Sequence, residues 1–130
     1  MLLESKMSAG VYLCIMLTIY GIKNCDTMQK AMKWLDAKKV KYAFHNYKES
    51  GIDEATLKVW LKHFATDKLI NTKGTTYRAL TNEEKASITD QSKAITLMMN
   101  NTSLIKRPVW DLGNSNFFLG WDEKELDKLV

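Results

Sequence analysis

Two cysteines, two histidines, two arginines and one proline are all this 130-residue chain holds of the residues that most often staple, ligate or kink a protein. Cys14 and Cys25 are too few for a disulfide framework, and no histidine stands beside them at zinc-ligand spacing. No metal site and no tightly bound cofactor are therefore expected. So little cysteine fits a reducing, cytoplasmic compartment. Charge is also modest. The formal net charge is +4, and the lysines are spread along helical stretches, the pattern of a solvated surface with no nucleic-acid partner. The chain lacks repeats, linkers and low-complexity tracts. What is present, 45% hydrophobic and 26% charged residues, suits one globular domain with a real core.

The N-terminus, "MLLESKMSAGVYLCIML", superficially resembles a signal-peptide core: one lysine and then an apolar run. The run is too short to span a bilayer, and no small-residue cleavage site follows it, so no membrane partner is expected. Leu17-Thr-Ile-Tyr20 already reads as a strand, which makes Met16 the natural start of the domain. Residues 1–15 then read as an extension outside the core, and 16–130 as a single domain.

From Leu17 the pattern is β-α-β-α. The first strand ends at Gly21, and Met28, Ala31, Met32 and Leu35 recur at helical spacing with Asp26 or Thr27 as N-cap. Val40–Phe44 reads as a second strand. Asp53 caps a helix carrying Leu57, Trp60, Leu61 and Phe64 on one face. A strand–helix–strand unit implies a right-handed crossover and a parallel pair. The middle, about residues 66–103, is polar and holds two short helical patterns. Val109–Leu112 and Asn116–Leu119 flank Gly113-Asn114-Ser115 as a hairpin, and Trp121-Asp122 opens a last helix. The expected class is α/β with a mixed four-stranded sheet.

Cys25 follows the first strand and a glycine turn and precedes a helix. Unpaired amides and the positive end of the helix dipole favour an anion there and lower a thiol pKa from about 8.5 toward roughly 3.5–7.5. Lys23 adds positive charge, whereas Asp26 opposes it. No second cysteine stands three residues on, because Met28 holds that place. A lone reactive thiol forms a mixed disulfide that an outside thiol resolves, and glutathione is the obvious one. Arg78 and Arg107 stand out among seventeen lysines, and arginine's planar fork suits carboxylates and oxyanions. Pro108, at a strand start, opens an edge strand or sits at a cis bond. His45 and His63, expected on a strand end and a helix, read as structural or solvated.

"LTIYGIKNCDTMQKAMKWL", "NTKGTTYRAL" and "IKRPVW…FFLGW" together resemble the ArsC/Spx/YffB family, most closely its YffB branch, over residues 16–130. The resemblance implies a thioredoxin-like, ArsC-like fold with an inserted helical segment. It places Cys25 at the nucleophile of glutathione- and glutaredoxin-coupled arsenate reductases, and Arg78 and Arg107 on arginines that bind an oxyanion or thiol substrate. Pro108 falls on the cis-proline whose loop lies against that cysteine. Lys23 and Asn24, beside the nucleophile, join the expected substrate- or glutathione-binding set.

Arsenate reductases carry a third anion-binding arginine where this chain reads "NSNFFLGW", and Spx-type regulators usually carry a Cys-x-x-Cys switch that Met28 removes. The expectation is thus a thiol reductase with glutathione as co-substrate and glutaredoxin as a further partner. It would act on a disulfide, glutathionylated or oxyanion substrate. The alternative is a non-enzymatic, Spx-like binding module on the same fold.

Overall fold

The computed structural model describes residues 17–130; the extension read over residues 1–15, with Cys14, and the start at Met16 lie outside them. The described chain forms two compact units. One comprises residues 17–45 with Pro108–Val130, the other Asn46–Arg107.

In the first unit, strand β1 (Leu17–Gly21) alternates, burying Leu17, Ile19 and Gly21 on one side. Helix α1 (Asp26–Ala37) buries Met28, Ala31 and Leu35, spaced by three and four residues, as the sequence periodicity requires. Strand β2 (Tyr42–Asn46) starts two residues later than the expected Val40. The reason is the end of α1: Lys39 takes a left-handed φ of 58°, and the Val40 amide donates to Leu35 O at 3.1 Å. Val40 is spent closing the helix. Strands β3 (Val109–Asp111) and β4 (Phe117–Leu119) form the expected hairpin. Gly113, Asn114 and Ser115 all adopt positive φ at its tip. Helix α8 (Glu123–Leu129) is capped by the Asp122 carboxylate, which accepts from the Glu125 amide at 3.3 Å.

The sheet is mixed and four-stranded in the order β2-β1-β3-β4. Antiparallel pairing sets Ile19 opposite Trp110 and Trp110 opposite Phe118, so one cross-strand row faces the core. That core is Leu17, Ile19, Met28, Ala31, Leu35, Trp110 and Leu126. Trp34 meets Trp110 and Trp121 edge-on at 6.1 and 5.7 Å, and Trp110 stacks on Trp121 at 6.4 Å. Edge-to-face contacts of this kind add to the area that the rings bury. The Trp110 indole donates to Gly120 O at 2.8 Å, so its one polar atom is satisfied inside the core.

The second unit is helical. Tyr47–Ser50 (α2), Glu54–Trp60 (α3), Thr66–Leu69 (α4), Thr75–Arg78 (α5), Asn82–Ser87 (α6) and Gln91–Asn100 (α7) precede a 3-10 turn at Thr102–Leu104. Helix α3 ends at Trp60, so Leu61 and Phe64 lie beyond it rather than on its face. His63 falls in the following turn, its amide donating to Trp60 O at 2.9 Å, and not on a helix as expected. A complete capping box between Thr81 and Glu84 opens α6. Leu57, Trp60, Leu69, Ile70, Ala94, Met98, Leu104 and Ile105 are buried. The chain crosses itself at an Ile70–Ile105 bridge, flanked by Asn71 N–H to Leu104 O at 2.7 Å and Lys106 N–H to Leu69 O at 2.8 Å.

Candidate functional site

Cys25 itself occupies the N-cap of α1, where Asp26 or Thr27 was expected. Its backbone is extended (φ −136°, ψ 127°), and its carbonyl accepts the first helical bond, from the Gln29 amide at 3.0 Å. Asp26 is thereby the first helical residue, where its charge favours the helix but opposes an anion on the neighbouring sulfur. The Cys25 side chain makes no cap bond to the first-turn amides. A neutral thiol is a poor acceptor for them, while a thiolate is a good one. Cys25 is half-buried and lies outside any disulfide among the described residues. Lys23 and Asn24 are exposed on the same turn. There the Lys23 carbonyl accepts from Gln29 Nε2 at 2.8 Å.

Pro108 is buried at the start of β3. The Tyr20–Val109 pairing puts it one step further along, level with Gly21, at the end of β1 from which the Cys25 turn departs. Its carbonyl accepts from the Gly120 amide at 2.8 Å, extending the β3–β4 ladder by one rung. The structure therefore brings Lys23, Asn24, Cys25 and Pro108 to one end of the same unit.

Arg78 and Arg107 belong to the other unit. Arg78 is the exposed last residue of α5. Arg107 is half-buried; Nη1 donates to Ser103 O at 3.1 Å, whereas Nε is buried without a hydrogen-bond partner. A buried guanidinium donor left open is costly, and an incoming oxyanion or carboxylate would satisfy it. His45 lies against Tyr20 on the neighbouring strand, with ring centroids 4.8 Å apart and the rings tilted by 37°. Tyr42, on the same strand as His45, has its pKa raised above 10.0, first by burial and then by the charge and hydrogen bond of Asp36.

Two recesses, of about 290 and 300 Å³, are lined mainly by residues of α7, none of them a candidate. Thiol exchange needs a sulfur that a partner can approach rather than a deep pocket. No cluster of three or more metal-ligating side chains occurs among the described residues, and none of their helices is long and apolar enough to cross a membrane. Gln29 is the residue that sequence reasoning missed. It reads as one exposed polar position of α1, and only the fold shows its amide reaching back over the turn.

The model of the ArsC family matches residues 20–129. The chain belongs to the ArsC family. Its structure is similar to the YffB (PA3664) protein at 42% identity and a TM-score of 0.83, covering 88% of this chain and 98% of that one. An arsenate reductase (ArsC) related protein from Brucella melitensis is 38% identical with a TM-score of 0.70, covering 88% and 93%. The global transcriptional regulator Spx of Staphylococcus aureus is 26% identical over 88% of this chain and 87% of its own. The α/β class expected from the order of strands and helices, and the thioredoxin-like fold that the resemblance implied, hold for this ArsC-family chain.

Proposed function

We propose that this ArsC-family protein is a glutathione-dependent thiol oxidoreductase working through Cys25. The observation that supports this reading best is the place of Cys25 at the N-cap of α1, on an extended backbone ahead of a twelve-residue helix. Charge on the sulfur meets the unpaired first-turn amides and the positive end of the dipole, which favours the thiolate.

The Cys25 thiolate attacks the glutathionyl sulfur of a mixed disulfide, R–S–S–G. A Cys25–S–S–G bond forms as the sulfur–sulfur bond of R–S–S–G breaks, and R–S⁻ leaves to take a proton from water. A second glutathione thiolate then attacks the Cys25-bound glutathionyl sulfur, releasing oxidised glutathione and restoring the Cys25 thiolate. One reduced glutathione is consumed for each mixed disulfide, the other half of the oxidised glutathione coming from the substrate, so no resolving cysteine is needed where Met28 stands. Lys23, Asn24, Arg78 and Arg107 are assigned the anionic ends of the thiol partner, and the Pro108 loop backbone contacts to it. The open Nε of Arg107 is consistent with that assignment. Glutaredoxin is an alternative resolving partner, and an oxyanion such as arsenate an alternative substrate. The missing third arginine makes the disulfide the better fit. A cytoplasmic setting, where reduced glutathione is abundant, completes the reading.

Steady-state turnover of a small glutathione mixed disulfide, in wild type and Cys25→Ser, tests it. Turnover that disappears in Cys25→Ser while thermal stability is kept is the expected result. Turnover that survives the substitution overturns the reading, as does a wild type that shows none. The Spx relative supplies the competing outcome, partner binding that is indifferent to Cys25.

A further inference from the structure

Residues 22–25 carry the chain from β1 into α1, and two contacts clamp that turn. On the buried side Met28 lies on Gly21 so closely that a Cβ at residue 21 would stand 2.3 Å from the methionine sulfur. On the exposed side Gln29 is bonded to both ends of Lys23–Cys25. Its Nε2 donates to Lys23 O at 2.8 Å and its backbone N–H to Cys25 O at 3.0 Å. The second bond belongs to any helix start; the first does not. A side chain one turn into a helix has reached back six residues to hold the loop that presents the cysteine.

We infer that Gln29 is a positioning residue for Cys25, its amide holding the Lys23–Cys25 turn so that Cys25 keeps the extended N-cap backbone ahead of the first-turn amides. This inference rests on the thiolate reading above. At an N-cap, extended φ and ψ are what allow a side chain to face the N–H groups of the second and third helical residues, here Thr27 and Met28. A thiolate is a better acceptor for those N–H groups than a thiol, so this backbone geometry favours the charged form. If the turn frays, Cys25 leaves the N-cap conformation and that preference fades. The Gln29 backbone bond alone cannot prevent this, because it fixes the Cys25 carbonyl but not the residues before it. Nothing in this role asks Gln29 to touch substrate.

The test is the pH profile of Cys25 alkylation by a neutral reagent, in a Cys14→Ser background, for the parent, Gln29→Met and Gln29→Lys. Methionine nearly matches glutamine in shape and helix propensity but has no donor. Lysine keeps a donor for the Lys23 carbonyl. The parent is expected to show an apparent pKa below about 8.5, and Gln29→Met a value about 0.4–1 unit higher, the shift that a net hydrogen bond supports. At pH 7 its alkylation slows by up to about tenfold, with Tm unchanged to within about 2 °C. Gln29→Lys returns to the parent value or below, and still does so at about 1 M salt, where its added charge is screened.

A low parent value with no change in Gln29→Met overturns the role of Gln29 and leaves the thiolate reading intact. An equal rise in Gln29→Met and Gln29→Lys at high salt also overturns it, because the donor would then be irrelevant. A parent value at or above about 8.5 overturns the thiolate reading and this inference with it.

Discussion

Gly21 and Met28 offer a sharp test of how the Cys25 turn is built. Gly21 has no left-handed φ, so what it supplies is space rather than backbone freedom. A Cβ there would sit 2.3, 2.7 and 3.0 Å from the sulfur, Cε and Cγ of Met28. Methionine is flexible, but Met28 is fully buried in the core with Ala31 and Leu35, so it cannot swing clear without displacing packed neighbours. Gly21→Ala is expected to cost about 1–3 kcal/mol, the usual penalty of overpacking. Met28→Ala removes three buried heavy atoms, Cγ, Sδ and Cε, and costs about 2–5 kcal/mol. In the double variant the alanine at 21 enters space that Met28 has left, so the clash term vanishes. The double variant should be no less stable than Met28→Ala alone. That makes the coupling about 1–3 kcal/mol, well above the ~0.5 kcal/mol scatter of independent sites. Urea unfolding followed by tryptophan fluorescence reads it directly, since Trp34 and Trp110 lie in the same core. Additive losses, or a Gly21→Ala protein as stable as wild type, would refute the packing argument.

Two further outcomes follow from named contacts. Tyr42 has a folded-state pKa above the unfolded value of 10.0, so the protonated phenol is favoured by folding. Its contribution is therefore fully present below pH 10 and lost as pH rises through the folded-state value. Removing the carboxylate in Asp36→Asn should bring the tyrosinate absorbance titration of Tyr42 back toward 10; an unmoved titration would contradict the Asp36 contact. Trp110→Phe strands the buried Gly120 carbonyl that the indole now satisfies and loosens the Trp34–Trp110–Trp121 cluster. A loss of about 2–4 kcal/mol in chemical denaturation is expected, and a loss below about 1 kcal/mol would show that the hydrogen bond matters little.

The elements legible in the sequence were those with a long enough period or a clear stop. Met28, Ala31 and Leu35 announced α1, Asp53 and Asp122 announced two helix starts, and Gly113-Asn114-Ser115 announced the hairpin tip. Helices α2, α4 and α5 went unread because four residues hold barely one turn, too few for any periodicity to show. The start of β2 was displaced because Lys39 in a left-handed conformation carries no marker when the residue is not glycine.

At the site, Cys25 was legible as a residue ahead of a helix but not as the cap itself, because cysteine is not among the residues that favour N-caps. From the sequence Met28 reads as an apolar position of α1 and as the absence of a second cysteine. The structure gives it a positive role, as the buried wedge that fills the space over Gly21. The Gln29–Lys23 bond was invisible because a side chain reaching back across a turn leaves no trace in spacing.

The central claim is that Cys25 carries the glutathionyl group between substrate and glutathione. Reacting the protein with one equivalent of a glutathione mixed disulfide and mapping the adduct by mass spectrometry tests this most directly. The account predicts a glutathionyl group on the peptide containing Cys25, formed within the time of one turnover and discharged by added reduced glutathione. A protein that turns over substrate with Cys25 never modified, or an adduct on Cys25 that glutathione cannot remove, would contradict it.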